Sequence, residues 1–164
     1  MKRILFVCTG NTCRSIMAEG IFNNAIAKDE EAMRQFNASS AGIAAFNGDC
    51  ASGNALNVMK SWNIDISYHK AKRISPEDVD SAFMIFTMTR EHKKVLLKLF
   101  PEAEEKVYTL KEFAYEGFED MSNRSTDISD PYGGDENVYR ECAIEIRDAI
   151  DKVIEKLKYK YVET

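Results

Sequence analysis

Two hydrophobic periods alternate along the chain. The run Ile4 to Val7 is continuously apolar and short, which predicts a strand over residues 3–8 buried on both faces. Beyond it the spacing changes to that of a helix over 15–34, with Met17, Ile21 and Ala25 on one face and Phe22 and Ile26 beside them. Asn37 to Gly42 reads as a short second strand leaving into a loop, and Ala51 to Ser61 as helical. Ser75-Pro76-Glu77-Asp78 is a helix start with proline in the first turn. Ala82 to Thr87 is a buried strand, followed by a helix over 90–99 that Pro101 ends. Lys106 to Thr109 gives a fourth strand, and Lys111-Glu112-Phe113 starts a short helix. The last helix spans 135–158, its apolar stripe carried by Val138, Ala143, Ile146, Ile150, Val153, Ile154 and Leu157.

Strands that alternate with helices predict an α/β fold. The expected architecture is a flavodoxin-like three-layer sandwich, a four-stranded parallel sheet with helices on both faces, whose ligand site lies beyond the carboxyl ends of the strands. Residues 117–137 are the only long stretch with little periodicity. Long irregular loops in compact domains are usually functional or disordered, so the acids of this stretch merit attention.

At 164 residues the chain has room for one full core, and residues 1–164 are expected to form a single domain. The 22 basic and 27 acidic residues give a net charge of −5, which disfavours nucleic acid as a partner. The apolar start is too short for a secretory segment and no stretch approaches a membrane span, so a cytoplasmic location without membrane association is expected. Four cysteines at 8, 13, 50 and 142 lack the pattern of a disulfide scaffold and fit free thiols in a reducing compartment. Cys8 and Cys13 could ligate metal. No Cys or His pair elsewhere completes a tetrahedral set, since only His69 and His92 are available, so neither metal nor cofactor is expected.

The segment Cys8-Thr9-Gly10-Asn11-Thr12-Cys13-Arg14 has the layout of an oxyanion cradle. A strand ending at Val7 and a helix starting near Ser15 would turn the loop's N–H groups inward, and the helix N-terminus adds partial positive charge. Arg14 adds a planar fork of donors matched to phosphate oxygens. Those dipoles favour a thiolate, which makes Cys8 a candidate nucleophile toward phosphorus. Gly10 and Asn11 tolerate unusual backbone angles, and Ser15 is placed to cap the helix or bond the thiolate.

Transfer of a phosphoryl group to Cys8 leaves a group that needs a proton, and water must later lose one to release phosphate. Asp130 is the best candidate for both steps: Pro131 fixes the backbone after it, Tyr132 offers a ring beside it, and Gly133-Gly134 lets the loop bend back. Asp120, Asp127 and Asp135 compete by proximity, and turn or capping roles are equally open to Asp130.

VCTGNTCRS together with the distant DPYGG resembles the low-molecular-weight protein tyrosine phosphatase family, and the likeness extends over nearly the whole chain. The resemblance implies a metal-independent protein phosphatase acting through a cysteinyl-phosphate, with phosphorylated proteins as substrates and phosphate or other oxyanions as loop ligands. It implies Cys8 as nucleophile, Arg14 as phosphate clamp, Ser15 as thiolate stabiliser and Asp130 as general acid and base. Thr9, Gly10, Asn11, Thr12 and Cys13 complete the phosphate loop, with Ser40 and His69 supporting it. Cys13 packs the loop or pairs reversibly with Cys8 under oxidation.

Tyrosine-specific members carry a bulky apolar residue where this chain has Thr12, and CTGNTCRS looks more like the protein-arginine phosphatase branch. A threonine hydroxyl suits the polar guanidinium of phosphoarginine, whereas a phosphotyrosine ring wants apolar walls. Phe46 and Tyr132 could supply two such walls, which keeps phosphotyrosine as the alternative to a slightly favoured phosphoarginine. Arsenate reductase, which uses a similar loop, is remote: it needs relay cysteines, and none occurs between Cys50 and Cys142.

Overall fold

A computed structural model describes residues 1–29, 31–117 and 125–162. Strands β1 (Lys2–Cys8), β2 (Phe36–Gly42), β3 (Met84–Thr87) and β4 (Val107–Thr109) form one sheet, all parallel, in the order β2-β1-β3-β4. Helices α1 (Arg14–Ala27), α2 (Gly53–Ser61), α3 (Pro76–Ser81), α4 (Arg90–Leu99), α5 (Leu110–Tyr115) and α6 (Glu136–Tyr161) cover it. The expected α/β class and four-stranded parallel sheet agree with this arrangement.

Alternation along β1 divides the core. Ile4, Phe6 and Cys8 face a layer built from α1, α2, α5 and α6, while Leu5 and Val7 face Val79 of α3 and Leu96 of α4. The thicker layer rests on α6, whose buried stripe repeats at Tyr139, Cys142, Ala143, Ile146, Ala149, Ile150, Val153, Ile154 and Leu157. Tyr139, not Val138, begins that stripe. Val138 is half-exposed and folds over Gly134, where any Cβ would meet its side chain at 2.7 Å.

Local chemistry sets the helix starts. Ser75 and Asp78 form a reciprocal capping box with Pro76 in the first turn of α3, and Thr109 and Glu112 form another for α5. Thr89 caps α4 and Asp135 caps α6. The helix expected over 15–34 ends at Ala27, and Glu31–Gln35 form a separate 3₁₀ turn that buries Met33. The early stop follows from a clamp: the Asn23 amide bonds both the N–H and the C=O of Ala38, at 2.8 and 3.1 Å, pinning β2 beside the middle of α1. The chain must therefore turn back soon after Ala27.

The connection from β1 crosses to β2 on one side, and the chain then passes to β3 on the other. Cys8, at the carboxyl end of the central β1, thus sits where the strand order reverses, the usual crevice for ligands in open α/β sheets. Cys8 pairs in register with Gly42, and the chain beyond β2 goes on holding the loop beyond β1: Ile43 N–H bonds Cys8 O at 2.9 Å and Ala44 N–H bonds Thr9 O at 3.0 Å. A Cβ on Gly42 would lie 2.5 Å from Thr9 O and 3.0 Å from Asn11 N, both backbone atoms. Gly42→Ala is expected to destabilise the fold by about 1–3 kcal/mol, the usual cost of overpacking. Urea unfolding measures it, and an unchanged midpoint would mean that the loop gives way freely.

Candidate active site

Cys8 through Arg14 line a pocket of about 300 Å³ together with Asp130 and Tyr132. The loop is shaped by Asn11, a fully buried residue with a left-handed φ of 57°. Asparagine tolerates that region better than most side chains, and here its amide is used to the full. Asn11 Nδ2 donates to Ser15 Oγ at 2.8 Å and Ser40 Oγ at 2.9 Å, while Oδ1 accepts from Lys72 N–H at 2.9 Å. His69 Nε2–H donates to Asn11 O at 2.6 Å. Ser40 and His69 thus touch the turn itself rather than the pocket.

These donors have a direction. Ser15 Oγ accepts from Asn11, so its own hydrogen is free for Cys8 Sγ 2.9 Å away, and Asn11 N–H reaches the same sulfur at 3.3 Å. Ser40 in turn donates to Glu19 Oε1 at 3.1 Å, and the Tyr68 hydroxyl donates to Glu19 Oε2 at 2.7 Å. Glu19 and Tyr68 were not among the expected residues. Glu19 had a signal: a carboxyl four residues after Ser15, inside a helical stretch that is otherwise mostly apolar. Tyr68 had none.

Cys13 precedes α1 and is buried, its sulfur 3.2 Å from the Tyr139 hydroxyl. Burial and that thiol raise the Tyr139 pKa to about 12, so the hydroxyl keeps its proton. Cys142, also buried and raised to about 12 by desolvation, donates to Ser129 O at 3.4 Å. Cys50 is exposed.

Arg14 is buried and joins two loops. Its Nη1 donates to Ile128 O at 3.0 Å and its Nη2 lies 3.7 Å from Asp130 Oδ2. Ile128 N–H bonds Met88 O at 2.8 Å, which ties the same segment to the end of β3. The other acids are engaged elsewhere: Asp127 accepts from Arg90 N–H at the start of α4, and Asp135 caps α6. Asp120 lies outside the described residues. Phe46, 78% exposed on the loop after β2, is not among the residues that line the pocket, and among the described residues Tyr132 is the aromatic side chain that does. Among the described residues no three His, Cys, Asp or Glu side chains converge into a group able to hold a metal ion.

His92 is a further neighbour that the sequence did not single out for the site. It is buried on the first turn of α4, with Nε2 2.8 Å from Thr9 Oγ1. Burial, then the Arg14 guanidinium, lower its pKa from 6.5 to about 4, against the opposing pull of Asp130 and Asp127. The unfolded chain therefore binds a proton at His92 that the folded chain refuses over that window. Stability is fully present above about pH 6.5 and is lost as pH falls toward 4. The urea midpoint of the wild type is expected to fall across that range by more than that of His92→Gln. Parallel falls would show that His92 contributes nothing to the pH dependence.

Comparison with known proteins places this geometry. The sequence model of a family described as low molecular weight phosphotyrosine protein phosphatase matches residues 3–163. A protein-arginine-phosphatase of Geobacillus stearothermophilus is 38% identical over 156 residues, covering 95% of this chain and 96% of that protein. The crystal structure of a low molecular weight protein tyrosine phosphatase from T. tengcongensis superposes with a TM-score of 0.82 at 43% identity, covering 96% of this chain and 100% of that one. An arginine phosphatase structure, a cysteine-to-serine mutant with a phosphorylated active-site serine, superposes at 0.83 with 30% identity, covering 96% and 97%.

Proposed function

The chain belongs to the low molecular weight phosphotyrosine protein phosphatase family, and on that premise we propose that it removes phosphate from phosphoarginine in proteins through a cysteinyl-phosphate on Cys8. It is a phosphoprotein phosphatase. The observation that carries the reading is the meeting of Cys8, Arg14 and Asp130, from distant parts of the chain, in one small pocket.

The first step begins with the Cys8 thiolate, held by Ser15 Oγ and Asn11 N–H, attacking phosphorus. As the S–P bond forms and the P–N bond breaks, Arg14 and the loop N–H groups hold the equatorial oxygens, where charge is greatest. Asp130 gives its proton to the departing guanidine nitrogen, so arginine leaves neutral at that atom. Asp130 then takes a proton from water. The water oxygen attacks phosphorus, the S–P bond breaks, phosphate leaves and the thiolate returns. Arg14 Nη2 lies 3.7 Å from Asp130, so a bound oxyanion competes for that guanidinium and frees the carboxyl for the leaving group.

The substrate choice rests on the walls. Thr12 lines the pocket with a hydroxyl able to bond a guanidinium, and among the described residues Tyr132 is the one aromatic side chain that lines it. A phosphotyrosine ring would find one flat partner where it needs two. The arginine-phosphatase relative and the phosphoserine mutant support the same substrate and a covalent intermediate. The four free cysteines and the thiolate chemistry support work in a reducing cytoplasm, and among the described residues no helix is long and apolar enough to cross a membrane.

Initial rates on phosphoarginine and phosphotyrosine peptides test the reading. Cys8→Ser is expected to lose at least about a thousandfold in kcat, and Asp130→Asn about a hundredfold, on either peptide. Thr12→Ile is expected to shift the preference toward phosphotyrosine by about tenfold, one lost hydrogen bond to a charged group. A wild type that prefers phosphotyrosine would overturn the substrate, and an active Cys8→Ser the mechanism.

A further inference from the structure

Thr9 is the exposed member of the loop, and its hydroxyl is nonetheless held from behind by the buried His92. The tautomer of that histidine decides what Thr9 can offer. His92 Nδ1 is buried and, among the described residues, has no partner. A neutral imidazole carries one N–H, and a buried N–H without a partner is rarer in folded proteins than a buried acceptor without one. The proton therefore sits on Nε2, which donates to Thr9 Oγ1. His92 stands in the first turn of α4, where its own N–H is engaged by Thr89 Oγ1 and the helix N-terminus disfavours a cationic imidazole. One lone pair of Thr9 Oγ1 is thereby fixed on His92, and the remaining lone pair and hydrogen are left for the pocket that Thr9 lines.

On the proposed mechanism the phosphoryl group would lie deep, against Cys8 and Arg14, both buried. Thr9 stands at the rim, beside the part of the substrate that carries the phosphate. There an oriented oxygen accepts an N–H from a guanidinium but finds no donor on a phenyl ring. Resting on the phosphoarginine reading, we propose that Thr9 is a second specificity-determining residue, whose hydroxyl His92 orients toward the guanidinium of the substrate, with His92 as its positioning residue. Thr12 and Thr9 then make a polar wall with hydroxyls from two points of one loop.

A double-mutant cycle on kcat/KM tests this with phosphoarginine and phosphotyrosine peptides, and with orthovanadate inhibition as a measure of the phosphate cradle alone. Thr9→Val and His92→Phe are each expected to lower kcat/KM for phosphoarginine by about tenfold, and His92→Phe to leave phosphotyrosine turnover and vanadate affinity within about twofold of wild type. The pair together is expected to lose no more than Thr9→Val alone. Thr9→Ser and His92→Gln, which keep a hydroxyl and a side-chain N–H donor, are expected to restore most of the loss. Equal losses on both peptides or weakened vanadate binding in His92→Phe, or losses that multiply in the double mutant, would overturn the proposal while leaving the phosphatase reading intact. A wild type inactive on phosphoarginine would overturn the substrate reading itself, and with it this proposal.

Discussion

One side chain sets the shape on which the site depends. Asn11 occupies a left-handed backbone position with no exposure, and its amide reaches Ser15, Ser40 and the Lys72 N–H at once. A residue with a Cβ loses about 1–2 kcal/mol in that conformation unless local bonds compensate. Here three side-chain bonds do so, and the same bonds orient the hydroxyl that faces Cys8. Backbone strain, loop closure and orientation at the sulfur are thus one problem with one solution. Around it Gly42 supplies room and Ala44 and Ile43 supply N–H groups, so the turn is fixed from the sheet as well as from the helix.

The loop's path is written in its own sequence because it is local. A buried strand, seven residues with glycine and asparagine in the middle, and a helix opening at arginine and serine leave few ways to fold. The sheet was legible for the same reason: period and punctuation place all four strands within two residues. What the sequence hid is long-range. Nothing near Tyr68 says that it bonds Glu19, and nothing near His92 says that it reaches Thr9, because each pairing is made by the crossovers that bring β2 and β3 to either side of β1. The Asn23 clamp on Ala38 belongs to the same class, and it is why a helical period running past Ala27 overstates α1. Phe46 is a case that sequence leaves open: it follows β2 closely and is exposed, and it is not among the residues that line the pocket.

Arg14 holds two loops of different origin in one register. Through Ile128 O it fixes the segment that carries Asp130, and that segment is further tied by Ile128 N–H to Met88, by Asp127 to Arg90 and by Ser129 to Cys142 and Glu145. The Asp130 carboxyl itself is largely exposed and accepts from Tyr132 N–H. A fixed frame with an exposed carboxyl suits the proposed role, in which that group meets first a leaving group and afterwards a water.

The electrostatic design follows from where charge is absent. Arg14 is buried, and among the described residues the carboxylate within ion-pair distance is an exposed one at 3.7 Å. The nearby histidine stays neutral, and the groups that shape the turn are hydroxyls, amides and backbone N–H groups. A buried cation whose carboxylate partner is exposed and 3.7 Å away is only weakly compensated by that pair. An oxyanion bound in the pocket would bring a second negative partner to the guanidinium nitrogen that faces Asp130. Ile128 O and the exposed Asp130 carboxylate hold the guanidinium within an otherwise neutral network, and the contact to Asp130 is the one that an oxyanion at the proposed site would exchange.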